Sequence, residues 1–188
     1  MLTGCASGVP ELIERTTLEI EDDGEITSYL VDSFDKAYYE VSELKAMAVE
    51  DAAAYNTEHQ EGDVVPITVE EVELLEQGNL VRVTYQYADA EVYQEHMEGV
   101  LFYGTVAEAL ANGYDMQSIS MHKAKDGTPE AIDWIEEATK RHILITDQKA
   151  DIYCPYKVSH ISEGAVMKDD GGVDATMSEA MVYILMNK

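Results

Sequence analysis

With 38 acidic and 12 basic side chains among 188 residues, this chain carries a net charge of −26. That argues against nucleic-acid binding and against adsorption to an anionic membrane, since both depend on clustered Lys and Arg. The 46% apolar share marks a globular chain rather than a disordered one. The length is sufficient to bury a core without disulfides, and no run of 18 apolar residues reads as a membrane span.

The chain opens on Leu2-Thr3-Gly4-Cys5, followed by Ala6-Ser7-Gly8. An aliphatic residue, a small residue, Gly and then Cys is the order of the lipobox of bacterial lipoproteins, which this tetrapeptide resembles. The resemblance implies a diacylglyceryl group on the Cys5 thiol, removal of the residues before it, and an extracytoplasmic location anchored to the cell membrane by lipid. A signal segment has a basic start and an apolar run of about 7–15 residues. Only Met1 precedes Leu2, so this reading expects the run to be trimmed away or encoded upstream. The bland alternative is an unanchored N-terminus with a free thiol. Residues 1–15 are read as lipobox and tether, and residues 16–188 as a single domain.

Thr16–Ile20 and Glu25–Leu30 alternate like paired strands around Asp22-Asp23-Gly24. A three-residue loop over 22–24 sets Ile20 opposite Ile26 on one face, with Gly24 in the left-handed conformation that ends such turns. Ser42 to about Thr57 has helical spacing, with Leu44, Met47, Ala48, Asp51, Ala52 and Tyr55 in the stripe, Asp51 its one polar break, and Ser42 as N-cap. This helix is expected to pack on a sheet carrying Val81, Val83 and the strand at 181–186. Val69–Leu75 and Leu80–Tyr87 form a second hairpin about Gln77-Gly78-Asn79, with Val81, Val83, Tyr85 and Tyr87 sharing a face. Asp89 caps a short helix to about Met97.

Thr105-Val106-Ala107-Glu108 is a capping box, opening a helix that Gly113 closes. Thr128-Pro129 predicts a further helix to about Lys140, because Pro is tolerated at the first helical position. Strands follow at His142–Thr146, Tyr156–Ser162 and Met181–Met186. The last is apolar throughout, hence expected to be central and buried on both faces. Asp169-Asp170-Gly171-Gly172 reads as a hairpin turn. The fold class is α+β: a mostly antiparallel sheet from hairpins with several helices packed on it. The hairpin–helix stretches 16–57 and 67–97 are candidate subunits of similar order but dissimilar residues.

Phe34-Asp35-Lys36-Ala37-Tyr38-Tyr39 with the 42–56 helix, and Val100-Leu101-Phe102-Tyr103-Gly104-Thr105 with 107–114, look like uncharacterised surface lipoproteins of anaerobic Gram-positive bacteria. The similarity covers most of the chain from Arg15 onward. It implies location and brings no activity and no catalytic residues.

Catalytic, cofactor and metal motifs are missing. Ser42-Glu43-Leu44-Lys45 matches the Ser-x-x-Lys of penicillin-binding enzymes, but the companion Ser-Asp-Asn and Lys-Thr-Gly elements are absent. The five His residues show no metal-ligand spacing. The acidic stretches 21–25 and 169–174 do not fit a twelve-residue Ca²⁺ loop, and turn chemistry explains them. Cys154, between apolar neighbours, reads as a buried small hydrophobe. Twelve Tyr against two Phe is a surplus suited to half-exposed strand faces. Tyr85 and Tyr87 are the first candidates for a contact surface, with core packing beside Val81 and Val83 as the competing reading. The sequence is read as a lipid-anchored binding protein with no cofactor. Its partner is expected to be cationic, a glycan or a peptide. The alternatives are an envelope hydrolase with a non-motif site or a structural envelope protein.

Overall fold

The computed structural model describes residues 8–60, 62–75 and 79–188. Cys5 and the lipobox, and Gln77 and Gly78 of the second hairpin turn, lie outside the described residues. In chain order the elements are β1 (Thr17–Ile20), β2 (Ile26–Ser33), α1 (Val41–His59), β3 (Ile67–Leu74), β4 (Leu80–Tyr87), α2 (Ala90–Met97), β5 (Leu101–Thr105) and α3 (Val106–Ala111). Strands alone follow: β6 (Met121–Lys123), β7 (Pro129–Glu130), β8 (His142–Thr146), β9 (Asp151–Tyr153), β10 (Val158–Ser162), β11 (Val166–Met167), β12 (Val173–Asp174) and β13 (Val182–Met186). The class is α+β, dominated by sheet, with fewer helices than the sequence pattern predicts.

Two sheets form. The first has order β11-β12-β9-β1-β2-β4-β3, and the second β5-β8-β13-β10-β6-β7. Every pairing is antiparallel except β1 with β9. The first hairpin has the expected register, with Ile20 opposite Ile26 and Gly24 at φ 98° in the left-handed region. The two N-terminal hairpins are joined edge to edge. β2 pairs with β4 from Ile26↔Tyr87 to Ser33↔Leu80, so both lie in one sheet.

Strand alternation builds two cores. Leu18, Ile20, Ile26, Tyr87 and Ile152 from the first sheet join Leu144, Val182, Ile184 and Met186 from the second in one cluster. The intervening residues Ile143, Ile145, Tyr183 and Leu185 point the other way, onto Val106, Met116 and Trp134. β13 is therefore buried on both faces and sits between β8 and β10, as its unbroken apolar run predicts.

Three expectations are corrected. Helix α1 begins a residue before Ser42; Glu40 is the N-cap and makes no side-chain cap bond. Its buried stripe is Ala48 and Ala52, with Leu44 and Tyr55 at the margins, whereas Met47 is 66% exposed. The small alanines let the helix lie close on β3, while β13 belongs to the opposite sheet. Thr128-Pro129 does not start a helix: Pro129 lies in edge strand β7, paired with β6. Asp126 there accepts from both the backbone N–H and the hydroxyl of Thr128, fixing a turn that feeds the strand. The 131–140 stretch is held in turns instead, by Asp133 Oδ1 accepting from the N–H groups of Ile135 and Glu136 and by burial of Trp134. The expected tether is already packed by Ile13, which is 5% exposed. Arg15 then pairs with Asp174 at 3.1 Å. The caps at Asp89 and Thr105 form as predicted, the latter with both bonds of its box.

Candidate functional site

Tyr85 and Tyr87 are 7% and 0% exposed, so neither offers a surface to a partner. Their rings pack with Tyr93 and His96 inside the first core. Cys154 is a free thiol in a half-buried residue. The sulfur itself is enclosed by protein, and this desolvation pushes the thiol up to about 12. That direction disfavours the thiolate a nucleophile needs. Among the described residues no group of three His, Cys, Asp or Glu could hold a metal ion. The carboxylates of the two acidic turns cap their own loops: Asp23 accepts from Glu25 N–H and Asp170 from Gly172 N–H.

A cavity of about 810 Å³ opens where β9 leaves the first sheet and the chain crosses through Tyr153-Cys154-Pro155-Tyr156 to β10 in the second. Tyr153, Pro155, Tyr156 and Met167 supply apolar wall. Gly8 belongs to the lining and lies so close to the β11–β12 turn that a Cβ there would meet the Asp170 carbonyl oxygen at 2.8 Å.

The charge of this cavity departs from that of the chain. Its lining holds Lys123, Lys125 and Lys157 against Glu130 and Asp170, in a chain where acids outnumber bases 38 to 12. Both carboxylates are already satisfied. Glu130 lies 3.0 Å from Lys123 Nζ and 2.5 Å from His160 Nε2. These bonds, that of His160 first, hold its carboxyl below the usual glutamate range. Asp170 accepts from the Tyr153 hydroxyl at 2.8 Å and stands 3.6 Å from Lys168. Lys125 and Lys157 make no ion pair among the described residues. Lys188 lies over the Tyr156 ring, 4.5 Å from its centroid.

Glu130, His160 and Ser159 form a hydrogen-bonded line within the same lining: His160 Nδ1 is 3.0 Å from Ser159 Oγ. Neighbouring side chains on a regular strand point to opposite faces. A bulge between Val158 and His160 breaks that alternation in β10. The order Ser–His–Glu is that of a hydrolytic triad, but the hydroxyl is occupied. Ser159 Oγ donates to the Leu185 carbonyl at 2.8 Å and accepts from the Arg141 guanidinium. Arg141 is itself fixed by donating from Nε to the Met186 carbonyl at 2.8 Å. For His160 to act as base, the hydroxyl must abandon Leu185 and still attack past an Arg N–H. The arrangement ties β10 to β13 and positions Glu130; it does not present a free nucleophile.

A second cleft, of about 720 Å³, lies between the β1–β2 turn, the start of α2 and β5. Asp22, Asp23, Asp89 and Glu91 line it together with Phe102 and Tyr114, so it carries the charge of the chain as a whole.

No protein-family profile, curated protein or solved structure matches the chain. The cavity residues were not legible in the sequence. Lys123 and Lys125 are more than thirty positions from Lys157, and only the pairing of β6 with β10 brings them together. Glu130 fell in a stretch that reads as helix. The adjacent Ser159-His160 was the one available signal, and in a strand its alternation argues against joint action.

Proposed function

We propose that this protein is a lipid-anchored, extracytoplasmic binding protein, and that the cavity beside Tyr153-Cys154-Pro155-Tyr156 is its ligand site. The lipobox resemblance supports the location. The binding reading is carried by one observation: Lys125 and Lys157, which make no ion pair among the described residues, line an aromatic-walled cavity, in a chain of net charge −26. A concave, partly apolar pocket with a few convergent polar groups is the usual form of a small-ligand site. A lipid tether raises local concentration, so modest affinity suffices.

Calorimetry against anions, glycans, peptides and cations, run beside a hydrolase substrate screen, tests this. Binding that disappears in a Lys125→Ala, Lys157→Ala double variant supports the reading. Turnover lost in Ser159→Ala would replace it with the envelope hydrolase and would show that the Ser159 hydroxyl leaves Leu185 during reaction. Silence in both assays leaves a structural role in the envelope. For the cationic partner that the net charge suggests, the acidic cleft beside β5 is the surface to test in the same panel. The anchor is tested separately by the mature mass after bacterial expression of the whole reading frame. A mass without a diacylglyceryl group, or processing indifferent to Cys5→Ala, ends that part of the proposal.

A further inference from the structure

We infer that the cavity takes the anionic headgroup of a membrane phospholipid. The phosphate sits at Lys125 and Lys157, and the start of the acyl–glycerol portion lies on the Tyr153, Pro155 and Tyr156 wall. The inference rests on the reading of the cavity as a ligand site and of Cys5 as the acylated residue.

Position is the first argument. Gly8 belongs to the cavity lining, and three peptide units separate it from Cys5. A fully extended chain covers at most about 11 Å in that distance. The headgroup layer adds roughly 5–8 Å to each side of a bilayer's hydrocarbon core. An acyl group on Cys5 therefore keeps the cavity mouth at or near the headgroups.

Chemistry is the second. Lys ammonium groups are mobile point charges that suit phosphate oxygens without demanding a fixed fork. The adjoining wall is aromatic and apolar, so a bare inorganic anion would leave it unused. A neutral glycan would leave the lysines unused. A phosphodiester joined to an apolar body uses both.

Charge distribution is the third. A body of net charge −26 is repelled by an anionic bilayer and does not adsorb through its general surface. Screening at physiological salt cuts exposed charges off beyond about 8 Å. At the cavity, Lys125 and Lys157 then act beside Glu130 and Asp170, whose carboxylates are already bonded to Lys123, His160 and Tyr153.

The test is made in solution on the full chain expressed without acylation, by calorimetry with water-soluble monomers. The probes are dihexanoyl phosphatidylglycerol, the zwitterionic dihexanoyl phosphatidylcholine, and glycerophosphate without acyl chains. The expected result is binding of the phosphatidylglycerol at least about 10-fold tighter than either other probe. The Lys125→Ala, Lys157→Ala variant, with unchanged melting temperature, should lose about 10-fold or more. Equal binding of the choline lipid, or an unaffected double variant, overturns the inference while leaving the cavity a binding site. Glycerophosphate binding as tightly as the lipid also overturns it, since the ligand would then be a soluble phosphate ester. A cavity that takes none of these probes, nor any member of the wider panel, overturns the binding reading itself.

Discussion

The hydroxyl of Tyr87 stands 3.1 Å from Nδ1 of His96, whose Nε2 lies 2.9 Å from Asp51 on α1. One neutral tautomer satisfies the line: Tyr87 donates to Nδ1, and Nε2–H donates to the carboxylate. The chain of bonds ties α2, β4 and α1 together, from the buried Tyr87 out to Asp51 at the surface. Tyr87→Phe removes the donor and leaves Nδ1 without a partner beside buried rings. The expected cost is about 1–3 kcal/mol in urea unfolding. A variant as stable as wild type would show that the bond is not formed in solution.

Core position should separate two apolar residues of similar size. Ile184, fully buried in β13 between the two sheets' side chains, is expected to cost about 2–5 kcal/mol on truncation to Ala. Met47→Ala, on the solvent side of α1, should stay within about 0.5 kcal/mol of wild type. Comparable losses at both positions would mean that α1 is turned about its axis relative to the structure described here.

Glu130 links stability to pH. Its carboxyl is held below the ordinary range by bonds from His160 and Lys123. Because the folded value is depressed, its contribution is present above the ordinary glutamate value of about 4.3. It is lost as pH falls through the folded value. The melting temperatures of wild type and Glu130→Gln should therefore differ most near neutrality and converge in acid. A gap that persists unchanged at low pH would assign the effect of the substitution to shape rather than charge.

Cys154 should label slowly. With its thiol pushed up to about 12 by burial, roughly 10⁻⁴ of it is thiolate at pH 8. An unfolded thiol of ordinary pKa reacts at least a hundred-fold faster by the same reasoning. A disulfide reagent applied to the Cys5→Ser chain, folded and in urea, gives both rates. A folded rate close to the unfolded one would reveal an accessible thiolate and return Cys154 to the candidate nucleophiles.

Local signals carried far in this chain. Asp89, Thr105 and Glu108 cap where their side chains predict, because capping needs only neighbours within one turn. The three-residue loop at 22–24 set the pairing of Ile20 with Ile26, since the side-chain period of two leaves one register that buries both. The uninterrupted apolar run of 182–186 marked a strand covered on both sides. Thr128-Pro129 misled, because Pro at a helix start and Pro on an edge strand look alike until the partner strand β6 is known.

What the sequence determined by itself was the broad class and the charge, with the register of the first hairpin and the caps at Asp89 and Thr105 set by residues close along the chain. The tertiary structure alone decided that the two N-terminal hairpins share one sheet and that Tyr85 and Tyr87 face inward. It also decided that Lys123, Lys125 and Lys157 meet Tyr153 and Tyr156 at one cavity. The physical reason is that a net charge is summed over residues without regard to position, whereas a binding site depends on which few charges strand pairing brings together and which of them are left without partners.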